Sequence, residues 1–430
     1  MGILKAVRGT RDLLPPETVL WNRVEATARV VFARYGFGEI RTPIFEDTAL
    51  FARSVGEETD IVSKEMYTWD DRARADSDSA QSLTLRPENT AGVVRAYVEH
   101  KLADTGMLQK LFYIGPQFRR ERPQRGRYRQ FWQIGAEVLG PAWSGSDSPL
   151  RDAEVLEMLS TFLTELGVKG WKLELNSVGS STDRPRYVAA LREALAPVKS
   201  RMSADNQRRA ETNPLRVLDS KAPEDQEIIN SLPKIADFLD DASREHFAQV
   251  LTALDACGVA YTVNPRLVRG LDYYTRTTFE FTVPDGSGLG TQNALLGGGR
   301  YDGLSEILGG PKAPGIGFAI GEDRLILTLQ AQAETATEPK LDAFVAPMGI
   351  AQNAAALVLA KDLRAAGLAV EVGDGSFRLK KSFEAADKLA RRMVILGEDE
   401  IASGLLTVKD FSAGEQTKVP RANLAGFLRG

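Results

Sequence analysis

The sequence predicts an α+β protein: antiparallel strands flanked by helices, a helical insertion, and a separate α/β module at the C-terminus. Three observations carry this. Strand-like runs on either side of Pro123-Gln124-Arg125-Gly126 are joined too closely for a crossover, so they form an antiparallel hairpin. From about 184 to 250 the chain turns polar and helical, with little strand signal. Beyond a polar stretch at 330–340, strand and helix alternate for about ninety residues.

In order along the chain, residues 17–35 place Leu20, Val24, Thr27 and Val31 on one helical stripe, widened by Trp21, Ala28 and Phe32. An extended segment interrupted by Pro43 follows, then a strand at "SLTLRP" and a helix from about Asn89 to Leu102. The hairpin strands are "KLFYIGPQFRRE" and "YRQFWQIGAEVLG". After the insertion, strand texture returns in "LVRGLDYYTRTTFEFTV" and in the run leading to "GIGFAIGEDRLILTL". "QAQAETATEPK" (330–340) reads as a linker. In 341–430 strands are expected at "FVAPMG", "LAVEV", "RMVILG" and "LLTVKD", with helices near 351–366 and 378–391.

Composition removes several function classes. A chain of 430 residues exceeds what one core usually serves, so two or three domains are expected. No apolar run approaches the ~20 residues of a membrane helix, and the N-terminus lacks a secretory signal pattern; a cytoplasmic location and no membrane partner are expected. Cys257 is the single cysteine, which rules out an internal disulfide and a cysteine-based structural metal cage. His100 and His246 are the only histidines and read as surface or satisfied residues. Net charge is −4, with 341–430 at +1, so indiscriminate nucleic-acid coating is not indicated, but a local anion site is open.

"FRRERPQRGRYRQF" (118–131) concentrates six arginines in that acidic chain. Strand alternation puts Arg127, Arg129, Phe131, Gln133, Gly135 and Glu137 on one face, with Tyr128, Gln130, Trp132, Ile134, Ala136 and Val138 on the packing face. The first set grades from cationic to carboxylate over roughly 13 Å per four residues, a floor for an extended ligand with open space above Gly135. Arg119 and Glu121 share a face on the partner strand. A charged edge that blocks aggregation is the other reading; arginine's fork, rather than lysine, favours bidentate anion binding. Arg269 precedes Gly270, Tyr273 and Tyr274, and stands equally well as an exposed strand residue or a second site cation. Arg324 sits in the first turn of an expected helix, where a cation opposes the dipole; either a bound phosphate or Glu322 and Asp323 compensate it. "LLGGGRYDGL" reads as a phosphate loop or a tight turn near a ligand.

These segments together resemble the class II aminoacyl-tRNA synthetases. "FRRERPQRGRYRQF" is similar to their second signature, "GIGFAIGEDRLIL" to their third, and "EIRTPIFEDTALFARSVGEETDIVSKEMY" to their first. "TLRPENTA" and "LVRGLDYYTRTTFEF" resemble segments peculiar to the histidyl branch, and the likeness spans nearly the whole chain. It implies a class II catalytic domain at 1–329 with its insertion at about 184–250, a linker at 330–340, and an anticodon-binding domain at 341–430. It implies ligation of L-histidine to its tRNA through histidyl-adenylate, with ATP and Mg2+ and no structural metal, in a homodimer formed around Pro43.

By the same resemblance, Glu88, Asn89 and Thr90 bind histidine, with Glu88 and Thr90 on its ammonium and Gln133 nearby. Glu137 and Tyr274 take the two imidazole nitrogens, and Tyr273 walls the pocket. Arg119 grips the α-phosphate beside the carboxylate, Arg127 and Arg324 hold the outer phosphates, and Glu121 lies near adenine. Arg269 is the catalytic cation, and Arg122 and Gln124 meet the tRNA acceptor end. Trp132, Asn89 and Asp323 stand where histidine, glycine and glutamate are more usual. In "FRLKKSFEAADKLARR", composition favours a solvated helix face; the resemblance adds phosphate contact. Two rivals share parts of the pattern: a non-catalytic regulatory subunit of ATP phosphoribosyltransferase, and a glycyl or prolyl synthetase. The retained arginines and tail speak against the first, and "VRGLDYY" with Glu137 against the second.

Overall fold

The computed structural model describes residues 2–56, 59, 61–71, 81–268, 273–284, 286–289, 293–332 and 339–430. The chain forms two compact units, Met1–Ala336 and Thr337–Gly430. Most of the 330–340 stretch expected to be a linker lies outside the described residues.

The larger unit is built on an eight-stranded sheet. Its order is Gly38–Glu39, Gln109–Phe118, Gln130–Leu139, Gly315–Gly321, Ala294–Arg300, Thr275–Thr282, Lys172–Ser177, Thr262–Val263. The long inner strands pair antiparallel, while each two-residue edge strand pairs in parallel. The expected hairpin forms the second and third strands of this sheet. Gln124 and Arg127 exchange backbone hydrogen bonds at its tip, with Gly126 at φ +75° supplying the left-handed turn.

One face of the sheet carries the core. Ile134, Ala136 and Val138 pack there with Phe318, Phe279 and the helices Glu17–Arg34 and Pro149–Leu166. Trp132 joins them edge-on to Trp21, so the bulky residue at this position is a packing element. The stripe expected on the first helix is buried except for Thr27, whose hydroxyl turns back to the Arg23 carbonyl.

The glycine run is not a loop. Gly297, Gly298 and Gly299 lie within the strand Ala294–Arg300. A Cβ on Gly299 would stand 2.8 Å from the Tyr274 ring and one on Gly298 2.1 Å from the Gly317 carbonyl oxygen, so these two positions lack side chains because neighbours approach closely. That observation replaces both readings taken from the sequence.

Helices Asp183–Leu195, Ala204–Thr212 and Gln226–Ser231 pack around their own core of Tyr187, Leu191, Leu195, Val217 and Ile229. Helix Asp241–Cys257, partly counted in the expected insertion, instead sends Val250 and Leu254 into the main core. Its His246 is buried: Nε2 lies 2.8 Å from the Asp152 carboxylate, and Nδ1 lies 3.4 Å from Arg276 Nη1. This histidine is a buried structural bridge between the Asp152 carboxylate and the Arg276 guanidinium. His100 is exposed.

In the smaller unit, five strands run Val370–Val372, Leu341–Pro347, Ala390–Leu396, Leu405–Asp410, Gln416–Pro420. The last strand, and the helix Leu424–Arg429 whose Leu424 and Leu428 close the core, were not foreseen.

Candidate active site

The polar face of the hairpin opens into two adjoining cavities. The first, about 270 Å3, is lined by Arg119, Glu121, Arg127, Tyr128, Phe131, Gln133, Glu280, Asp323 and Arg324 among others. The second, about 170 Å3, is lined by Glu88, Thr90, Tyr113, Arg119, Gln133, Tyr273, Tyr274 and Tyr301 among others. Arg119, Gln133, Gly297 and Ala319 belong to both walls. The site is therefore one trough with a cationic half and a carboxylate–tyrosine half, and Arg119 stands at the junction.

The cationic half gathers charge from two distant segments. Glu121 pairs with Arg127 at 3.1 Å and lies 3.8 Å from Arg119. Arg119 is anchored by donating Nε to the Pro87 carbonyl at 2.9 Å and stacks on Phe131. Burial lowers the pKa of Arg324, and the Arg127 charge lowers it further, against Glu280 and Glu121. Two guanidinium groups that repel one another in a half-buried cavity form a site suited to a polyanion. Glu322 and Asp323 do not supply the compensation considered from sequence. Asp323 is taken by Arg11 and the Trp132 amide, and Glu322 has no hydrogen-bond partner among the described residues.

The second half is built around buried acids. Glu88 accepts from the amides of Thr90 (2.8 Å) and Ala91 (3.0 Å), capping the helix Thr90–Glu99, and burial raises its pKa. Glu137 accepts from the Thr90 hydroxyl at 2.7 Å and the Tyr301 hydroxyl at 2.6 Å. It is fully buried, and burial pushes it up to about 8 despite these bonds. Gly317 makes room for it: a Cβ there would lie 1.7 Å from Glu137 Oε2. The Gln133 carbonyl oxygen and the Tyr113 hydroxyl are buried without partners among the described residues. Both residues line this cavity, so it presents polar atoms that a polar ligand would satisfy.

Several expected positions shift. The open space expected above Gly135 is filled by the Tyr113 ring from the neighbouring strand, 2.3 Å from where a Cβ would stand. Arg129 leaves the floor: its amide and Nη1 donate to the carbonyls of Gly9 and Arg8. The regular strand begins only at Gln130, so alternation fails before it and Tyr128 lines the cavity instead. Asn89 is buried but turned away, accepting from Thr42 Oγ1 at 2.6 Å. Arg122 and Gln124 are exposed at the hairpin tip. Arg269 lies outside the described residues.

Sequence reasoning missed Tyr113, Tyr128, Glu280 and Tyr301. Tyr113 had a signal: in "KLFYIGPQ" it alternates with Gly115 and Gln117, and across the hairpin it pairs with Gly135 on the same face. Among the described residues, no group of three or more histidine, cysteine, aspartate or glutamate side chains is placed to hold a metal ion.

Comparison with known proteins shows the family. A family model described as histidyl-tRNA synthetase matches residues 9–325, and one for an anticodon binding domain matches 342–430. The chain is 68% identical to a histidine–tRNA ligase of Koribacter versatilis, over 99% of this chain and 96% of that protein. It is 53% identical to one of Solibacter usitatus, over 99% of both. Its fold is similar to apo histidyl-tRNA synthetase of S. aureus, with TM-score 0.81 and 36% identity over the full length of both chains.

Proposed function

The chain belongs to the histidyl-tRNA synthetase family, and from that premise we propose how its residues work. It is a histidine–tRNA ligase, charging tRNA with histidine; a regulatory role beside ATP phosphoribosyltransferase is not favoured. In our reading, histidine occupies the carboxylate–tyrosine half and ATP the arginine half. The histidine carboxylate then meets the α-phosphate at Arg119. The observation that carries this is the sharing of Arg119 and Gln133 by both cavities.

An attacking carboxylate and a phosphate repel one another. Fixed guanidinium groups offset that repulsion and stabilise charge on the pentavalent phosphorus, with no general base required. Arg119 serves the α-phosphate and Arg269 is the second catalytic cation. Arg127 and Arg324 hold the outer phosphates, and Glu121 stands toward the adenine. Mg2+ comes with ATP, held largely by its phosphates, where Glu121 and Glu280 are lining carboxylates. Glu88 and Gln133 accept from the ammonium, with Thr90 beside them. Glu137 and Tyr274 address the imidazole, and Tyr273 walls the pocket.

Residues 1–329 then act as the catalytic domain and 341–430 as the anticodon reader. Arg391 and Arg392 are committed to Asp342 and Asp410, which leaves the exposed Arg378, Lys380, Lys381 and Lys388 for phosphate contact. Arg122 and Gln124 are free in position to meet the acceptor end. A homodimer through the segment around Pro43 is supported by the exposed Ile44, Phe45 and Trp69. No described helix is long and apolar enough to cross a membrane, and we place the protein in the cytoplasm.

Histidine-dependent ATP–pyrophosphate exchange tests the reading. Exchange with no amino acid would favour the regulator, and exchange with glycine or proline a different synthetase. Arg269→Ala should lower kcat by about 10²–10³ with a small change in KM; an unchanged kcat removes Arg269 from its role.

A further inference from the structure

The glycine motif ends in Arg300-Tyr301-Asp302, and of these only Tyr301 has a part in the account so far, as a donor to Glu137. Its two neighbours belong to one polar network. Arg300 is fully buried. Its Nε and Nη2 donate to the Asp152 carboxylate, and its Nη1 donates to the Ser146 carbonyl at 3.0 Å and to Asp302 Oδ1 at 2.9 Å. The other oxygen of Asp302 accepts from the Thr275 hydroxyl at 3.2 Å, and the Asp302 amide donates to Thr275 Oγ1 at 3.2 Å. Thr275 directly follows Tyr274. One carboxylate thus ties the residue after Tyr274 to the residue before Tyr301.

The backbone is irregular at the same place. Between the strands Thr275–Thr282 and Ala294–Arg300, Gly299 pairs with Thr278 but Arg300 pairs with Thr275. Arg276 and Thr277 are therefore extra residues in the ladder, a bulge, and bulges re-aim the side chains beside them. Arg276 has φ +48°, a left-handed backbone that a residue with a side chain holds only where its surroundings impose it. Asp302 and Thr275 line a third cavity, which shares Tyr273 and Tyr274 with the histidine half. Tyr274 and Tyr301 both line the histidine half itself. We propose that Asp302 is a positioning residue for histidine: by joining Thr275 to the buried Arg300 it holds the bulge closed and fixes Tyr274 and Tyr301 as walls of the pocket. Without that link the bulge relaxes and the two tyrosines are in place for only part of the time. Affinity then falls by the fraction of the time that the pocket is complete. The inference deepens the histidine reading of this cavity and rests on it.

The test is steady-state ATP–pyrophosphate exchange on the full chain. Thr275→Val removes the hydroxyl and keeps the shape; it should raise the KM for histidine about tenfold, the scale of one hydrogen bond to a charged group, with the KM for ATP within about twofold. Thr275→Ser keeps the hydroxyl and should stay within about twofold of the parent. A role in packing alone predicts the reverse order, because serine loses the methyl that valine keeps. Asp302→Ala should raise the histidine KM at least as much as Thr275→Val, and the double variant should be no worse than Asp302→Ala, since both changes remove the same bond. Serine worse than valine, effects that multiply in the double variant, or equal rises in both KM values would overturn the proposal. If Asp302→Ala does not fold, the two Thr275 variants carry the comparison. Tyr301→Phe separates the two readings. If it leaves the histidine KM unchanged, the histidine reading fails; if it raises it while Thr275→Val does not, only the role of Asp302 fails.

Discussion

Each half of the trough is accompanied by a buried glutamate, and the two have opposite circumstances. Glu137, beneath the histidine half, is pushed up to about 8 and receives two hydroxyl donors, Thr90 and Tyr301. Glu322, which starts the helix carrying Arg324, is pushed up to about 9, and neither carboxyl oxygen finds a partner among the described residues. Burial is the first cause in both. The donors mark Glu137 as a built acceptor, held in place for an N–H to come. Burial favours the neutral form of Glu322, and the charge on its side of the trough resides in the arginines. A buried carboxyl gains a role from its partners, not from its pKa alone.

The sharpest way to break this contrast is Gly317→Ala. The added methyl would occupy the place of Glu137 Oε2, and kcat/KM for histidine should fall about a thousandfold, with the ATP KM little changed. An active variant that melts like the parent would mean Glu137 is not the acceptor. On the other half, Arg324→Ala should lower kcat/KM for ATP about a hundredfold. An ATP parameter that did not move would place the outer phosphates elsewhere. Tyr301→Phe removes one of the two donors to Glu137 and should raise the KM for histidine about tenfold, with kcat nearly kept. A change confined to ATP would contradict the assignment of the halves.

The smallest effect is on stability, and it belongs to Glu322. Its folded value of about 9 lies above its ordinary 4.5, so between these the folded chain holds a proton that the unfolded chain has released. Stability therefore falls as pH rises across that window, by up to roughly 1.4 kcal/mol per unit from this group. Glu322→Gln cannot titrate. Thermal melting from pH 6 to 8.5 should show a flatter profile for the variant and a Tm a few degrees higher at the alkaline end. Parallel profiles would show that Glu322 is already ionised in the folded chain.

The same contrast explains what the sequence made legible. Period-two alternation placed Gln133 and Glu137 on the polar face and Ile134, Ala136 and Val138 in the core, because a regular strand obeys it. It failed at Arg129 and Tyr128, which precede the strand and answer to the segment at Gly9 instead. Glycines at 297–299 read as a turn, since their demand comes from Tyr274 and the neighbouring strands, which local sequence does not contain. Tyr301 and Glu280 reach the site through strand pairings over 140 residues away from Glu137, so nothing near them in sequence announces it. Arg119, Arg127 and Arg324 were legible because a rigid cation in an acidic chain is conspicuous wherever it falls.

A crystal structure of the chain with a non-hydrolysable histidyl-adenylate analogue tests the account most directly. The account places the phosphoryl oxygens within hydrogen-bond distance of Arg119, the imidazole against Glu137, and the adenine toward Glu121. An analogue bound with its ring among the arginines, or outside the trough altogether, would contradict it.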